Sequence, residues 1–128
     1  MTQLTAQIRK IAEDVYRSLG SGHPEVVYDR AMQIGLRLEG IKYESQKVIE
    51  LKYRDYYVGE GYPDLLVHID GKVVVVELKA VATKMGACEE QQVRNYMRIL
   101  DAKFGLLINF QMPGRKQGKT ELEIKEVE

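Results

Sequence analysis

Residues 63–79 read PDLLVHIDGKVVVVELK. Two apolar runs flank Asp70-Gly71, and an Asp-Gly pair between such runs specifies a two-residue β-hairpin. No other feature restricts the fold as strongly, because so short a turn sets register as well as strand direction. With Asp70 and Gly71 at the corners, Ile69 faces Lys72, and counting back along both strands puts Asp64 opposite Glu77. Directly opposed residues project to one face, with Cβ atoms ~4.5–5.5 Å apart. Lys79, two residues beyond Glu77, points the same way. The hairpin therefore predicts an Asp-Glu-Lys cluster at its open end, where a core built for stability alone has no use for three charges.

Two opposed carboxylates repel, and beside a sheet interior the repulsion is poorly screened. Three arrangements relieve it: one acid protonates, Lys79 neutralises the pair, or a divalent cation binds between them. Oxygen-only ligands suit Mg²⁺ or Mn²⁺ better than zinc. The chain has one cysteine, Cys88, and two histidines, His23 and His68, so a thiolate or histidine zinc site is not expected. A plainer arrangement stands beside these. A Glu-x-Lys pair at a strand end can form an edge salt bridge worth ~0–1 kcal/mol.

The rest of the chain supplies the frame. Ile8, Ile11, Ala12, Val15, Tyr16 and Leu19 recur at helical spacing over 4–19, and LGSG ends that helix. A second helix opens near Pro24, buries Val27, Ala31, Ile34 and Leu38, and stops at Gly40. Residues 43–53 are strand-like, and YRDYYVGEGY turns and pairs back. The hairpin strands 64–69 and 72–79 follow. Helical spacing returns over 86–101, with Val93, Tyr96, Met97 and Leu100 on one face. FGLLINF, 104–110, reads as a buried strand, free to lie parallel to the strand before the helix. Residues 120–127 read as an edge strand with one wet face. The order α-α-β-β-β-α-β-β predicts an α/β or α+β fold, a sheet with helices packed on it.

The 128 residues fit a single domain, 1–128. No apolar run approaches the ~20 residues of a membrane span, and MTQLTAQIRK lacks the apolar segment of a secretory signal. Cytoplasmic residence, with no membrane partner, is the expectation. Nineteen basic side chains balance nineteen acidic ones, so strong unaided grip on nucleic acid is not expected from net charge.

Pro63-Asp64, then twelve residues, then Glu77-Leu78-Lys79 resembles the signature of the PD-(D/E)XK nuclease superfamily. The order α-β-β-β-α-β from the second helix onward is similar to that superfamily's restriction-endonuclease-like core. An extra helix would precede it and an edge strand would follow. Gly22-His-Pro-Glu25-Val-Val-Tyr28 resembles the motif that names the GxxExxY proteins, a branch of the superfamily. VELKA at 76–80, EQQVRNY at 90–96 and GLLINF at 105–110 also resemble that branch. The resemblance runs from about residue 15 to 128. It implies Mg²⁺- or Mn²⁺-dependent hydrolysis of phosphodiester bonds, with DNA ahead of RNA as substrate. It implies that Asp64 and Glu77 hold the metal, with the Leu78 carbonyl as a further ligand. Glu25 would complete the acid cluster, directly or through water. Lys79 would orient the water and stabilise the transition state, and Gln92 would orient Lys79, the water or a phosphate. One departure is local: Tyr62-Pro63 stands where that branch often carries a basic residue.

Several of these residues also have plain structural readings. Glu25 lies in the first turn of a helix, where the macrodipole favours an acid. Tyr28 reads as a packing residue with a bonded hydroxyl, and His68 as a hydrogen-bonded structural histidine. His23 reads as a loop or cap residue. Arg115, Lys116 and Lys119 lie in the loop-like MPGRKQGK and are either solvated or phosphate contacts. Tyr53, Tyr56 and Tyr57 pair across strands or stack on bases. The rival functional reading is a catalytically silent nuclease-fold module that binds nucleic acid or a protein partner. A homodimer could supply the surface that so short a chain lacks.

Overall fold

The computed structural model describes residues 3–113 and 121–128. Its elements, in chain order, are α1 (Gln3–Leu19), α2 (Glu25–Leu38), β1 (Lys42–Ser45), β2 (Ile49–Tyr53), β3 (Tyr56–Gly61), β4 (Leu65–Ile69), β5 (Lys72–Lys79), α3 (Ala87–Leu100), β6 (Phe104–Phe110) and β7 (Leu122–Val127). Five strands form one sheet in the order β1-β4-β5-β6-β7, and β2 and β3 form a separate two-stranded ribbon. β5 and β6 are parallel, while β1–β4, β4–β5 and β6–β7 are antiparallel. This is the mixed, helix-flanked sheet of a restriction-endonuclease-like fold. Arg115, Lys116 and Lys119 lie outside the described residues.

The hairpin turn forms as its sequence requires. Asp70 and Gly71 have φ of 52° and 73°, the positive pair of the tightest hairpin turn. Ile69 pairs with Lys72 and Leu65 with Val76. Alternation then sends Leu65, Val67, Val74, Val76 and Leu78 to one face of the sheet and Leu66 and Val75 to the other. α1 and α2 cover the first face. Ile8, Ile11, Tyr28, Met32 and Leu36 pack there against Leu106, Ile108 and Phe110. α3 covers the second face with Val93, Tyr96 and Met97. Glycines allow two close approaches, of α1 on α2 and of α3 on β6. A Cβ on Gly35 would lie 2.5 Å from Ile11 Cγ2, and one on Gly105 would lie 2.7 Å from Val93 Cγ1.

The 43–53 segment departs from its single-strand reading. β1 ends at Ser45, Gln46 turns left-handed with φ 53°, and β2 belongs to the ribbon. The ribbon turns at Arg54-Asp55, φ 47° and 69°, and pairs Tyr53 with Tyr56. Only its base is buried, through Ile49 and Gly61. A strand pattern cannot reveal this break, because β1 and β2 have the same local propensity and differ only in partner. β7 also departs from expectation. It is the edge strand, but its outward residues are not simply wet. Glu123 accepts from the Met85 N–H, and Lys125 Nζ donates to the Met85 carbonyl at 2.8 Å.

Candidate active site

The cluster is built where the start of one strand, the end of its neighbour and the start of one helix meet. Asp64 immediately precedes β4, Glu77 and Lys79 close β5, and Glu25 opens α2. The β4–β5 register carried one step further puts Asp64 opposite Glu77. Their contacts agree. The Asp64 N–H donates to Glu77 Oε1 at 2.9 Å, and the Leu78 N–H donates to Asp64 Oδ2 at 2.8 Å. One further step in that register would place residue 63 across from Leu78. Residue 63 is proline, which has no N–H to offer the Leu78 carbonyl.

The electrostatics show the strain of gathering these acids. Glu77 is 4% exposed. Burial first, and then the Asp64 charge, push its pKa from the usual 4.5 up to about 8. Glu25 adds to the rise, while the Asp64 N–H and Lys79 oppose it. Asp64 is raised by burial and by Asp29, against the Leu78 N–H, Lys79 and Gln46. Glu25 is exposed at the surface, yet its carboxyl is raised too. Partial desolvation is the main cause, then Asp64 and Asp29, with Lys79 opposing. Three acids are thus held against their charged forms at one place. Among the described residues Lys79 closes no salt bridge within 4 Å, so the edge Glu77–Lys79 pair is not formed.

Among the described residues, no three Asp, Glu, His or Cys side chains converge as a ready-made metal cage. Two adjacent carboxylates, one carbonyl and water still fit magnesium chemistry, since that ion keeps several waters and uses one or two carboxylates. The unneutralised acids fit a hard cation better than they fit a closed salt-bridge network.

Gln92 stands apart from this cluster. It is exposed, and its amide donates to the Tyr96 hydroxyl at 3.4 Å. The same hydroxyl accepts the Tyr62 N–H at 3.3 Å, so Tyr96 links Gln92 to the segment leading into Asp64. Among the described residues it makes no hydrogen bond to Lys79. Gln91 bonds Asn95 instead. Tyr28 is fully buried, stacked on Phe110 with ring centroids 4.5 Å apart, and its hydroxyl donates to the Gly20 carbonyl at 2.6 Å. That hydroxyl also accepts the His23 N–H, while the His23 ring reaches the Leu19 carbonyl. The motif's tyrosine thus ties down the loop that delivers Glu25. His68 pairs with Glu44 at 2.8 Å.

Two residues that sequence reasoning missed belong to the site. Asp29 lies one helical turn beyond Glu25 and raises the pKa of both Glu25 and Asp64. Its i, i+4 spacing from Glu25 is the signal by which it could have been found. Gln46 contacts Asp64 directly, with Nε2 to Oδ1 at 3.2 Å and its N–H to the Asp64 carbonyl at 3.2 Å. No local pattern marks Gln46, since β1 meets β4 only in the folded sheet.

A mixed sheet in this order, with a Pro-Asp step and a Glu-x-Lys facing it across a hairpin, defines a nuclease-like domain. The chain belongs to the PD-(D/E)XK nuclease superfamily, whose family model matches residues 2–122. Among solved structures, the crystal structure of SSO0001 is similar, with TM-score 0.54 at 18% identity, covering 97% of this chain and 62% of that one. At that identity the likeness is one of fold, and the chain spans less than two thirds of SSO0001. No curated protein is significantly similar in sequence.

Proposed function

We propose that this chain is a small nuclease of the GxxExxY branch that uses Mg²⁺ or Mn²⁺ to hydrolyse phosphodiester bonds of DNA. One observation carries the reading. Asp64 and Glu77 face each other with raised pKa values, and among the described residues neither closes a salt bridge within 4 Å. Superfamily membership supports divalent-metal use and nucleic acid as partner.

Asp64, Glu77 and the Leu78 carbonyl would hold the ion, and Glu25 would reach its water shell. Pro63 leaves that carbonyl without a ladder donor, which favours this use of it. A bound divalent ion lowers the pKa of a coordinated water and neutralises charge developing at phosphorus. Lys79 orients the attacking water and places a fixed positive charge beside the phosphoryl oxygens. Gln92 would orient water or phosphate, and the Tyr96 hydroxyl links it to the Tyr62 backbone ahead of Asp64.

The test is incubation of purified protein with plasmid and with single-stranded DNA, with and without Mn²⁺. Metal-dependent cleavage that Lys79→Ala abolishes is the expected result. Absence of cleavage at every protein concentration, or cleavage that survives Lys79→Ala, removes the reading.

A second reading is a silent module of the same fold that binds nucleic acid or protein, alone or as a homodimer. The ribbon favours it, since Tyr53, Tyr56 and Tyr57 are 62%, 76% and 59% exposed. Titration of Mn²⁺ against melting temperature separates the two. A nuclease-type site gains about 2.7 kcal/mol at a hundredfold excess over Kd, whereas a silent module is indifferent.

A further inference from the structure

Gln46 carries a backbone conformation that its side chain does not favour. Its φ is 53°, a region that non-glycine residues rarely occupy and in which Asn, Asp and His predominate. The other non-glycine residues in that region have evident reasons. Arg54, Asp55 and Asp70 form hairpin turns, and Asp101 caps α3. Gln46 sits in neither setting. It lies at the end of β1, where the register that pairs Ser45 with Leu65 continues to Asp64. Its turn redirects the chain from β1 toward the ribbon, and strain of this kind beside candidate ligands motivates a functional role.

Its contacts say which function. A regular hydrogen-bonded antiparallel pair exchanges two bonds. Here only one forms, from the Gln46 N–H to the Asp64 carbonyl at 3.2 Å. The left-handed turn takes the chain out of the ladder, and the Asp64 N–H goes to Glu77 Oε1 at 2.9 Å. The Gln46 amide meanwhile donates to Asp64 Oδ1 at 3.2 Å, and the Leu78 N–H takes Oδ2 at 2.8 Å. Each Asp64 carboxylate oxygen therefore has one donor, and one Glu77 oxygen is held by the amide that Gln46 left free.

We propose that Gln46 is a positioning residue that orients the Asp64 carboxylate, and through the Asp64 N–H the Glu77 carboxylate, for a divalent cation. The proposal rests on the metal-nuclease reading above, but its test does not need cleavage. Gln46→Gly deletes the amide while accepting the left-handed backbone without strain, so the variant is expected to fold. Two readouts apply. In metal-free protein, amide exchange at Leu78 should become several-fold faster, because its acceptor is no longer held from the other side. Mn²⁺ titrated by electron paramagnetic resonance should bind about 10- to 100-fold more weakly, as is typical when a supporting bond to a ligand is lost. Unchanged Leu78 exchange overturns the proposal, and so does unchanged Mn²⁺ affinity in a wild type that binds the ion. A wild type that binds no Mn²⁺ sinks the metal reading instead, and Leu78 exchange then decides on Gln46 alone.

Discussion

Glu77 shows how much one buried acid can govern. Its folded pKa of about 8 lies above the usual 4.5, so the native state holds a proton that the unfolded chain has released. Between those values folding takes up protons, and stability falls as pH rises. Asp64 and Glu25 shift in the same direction. In EDTA the melting temperature should therefore drop steadily from about pH 5 to about pH 8 and level off above. Glu77→Gln should flatten that slope, as thermal scans across pH will show. A slope as steep in the variant as in wild type assigns the effect elsewhere. Tyr28 makes a second prediction at this scale. Tyr28→Phe keeps the stack on Phe110 but strands the Gly20 carbonyl and the His23 N–H. The expected loss is about 1–2 kcal/mol in urea unfolding, the cost of unmade buried hydrogen bonds. Residue types at 25, 28, 64, 77 and 79 were all legible in the sequence. Asp29 was within reach by helix spacing, and Gln46 was not.

Among the elements, the β2–β3 ribbon is the least constrained by the core. It is anchored where Ile49 is buried and Gly61 lies under Tyr96, while the tip stands in solvent. Isolated two-stranded hairpins are marginal in water, so its base must hold it. A Cβ on Gly61 would lie 2.6 Å from Tyr96 Cε1, whereas one on Gly59 would meet Leu51 at 3.9 Å. Gly61→Ala should cost about 1–3 kcal/mol by overpacking, and Gly59→Ala should change little. Equal effects in urea titrations would disprove the anchor. Replacing residues 52–58 with a short Gly-rich turn should leave far-UV circular dichroism and cooperative unfolding intact, since none of those side chains is buried. The hairpin β4–β5 was readable in advance because its turn is two residues long. The ribbon's own turn was readable too, in YRDYYVGEGY, but its separation from β1 was not, because the break after Ser45 carries no local signal.

At the level of the whole molecule, the sheet's two faces are covered by different helices and the acids collect at one end of its strands. The sequence by itself determined everything governed by short range. A two-residue turn left one register for β4 and β5, so Asp64 had to face Glu77. Helical and alternating periodicities marked the side chains of α1, α3 and the hairpin that leave water, but they misplaced the buried stripe of α2, where Ile34 and Leu38 are 52% and 82% exposed and Tyr28, Met32 and Leu36 are buried instead. The α3 crossover allowed β5 and β6 to run parallel, since only a long connection permits that pairing. The tertiary structure alone decided what depends on chain segments meeting across long separations. It split 43–53 between two sheets, set Gln46 beside Asp64, and brought the start of α2 to the end of β5. Among the described residues it also left Lys79 without a salt bridge to the acids. Such pairings are chosen by the total burial they permit, and no stretch of sequence carries that sum locally.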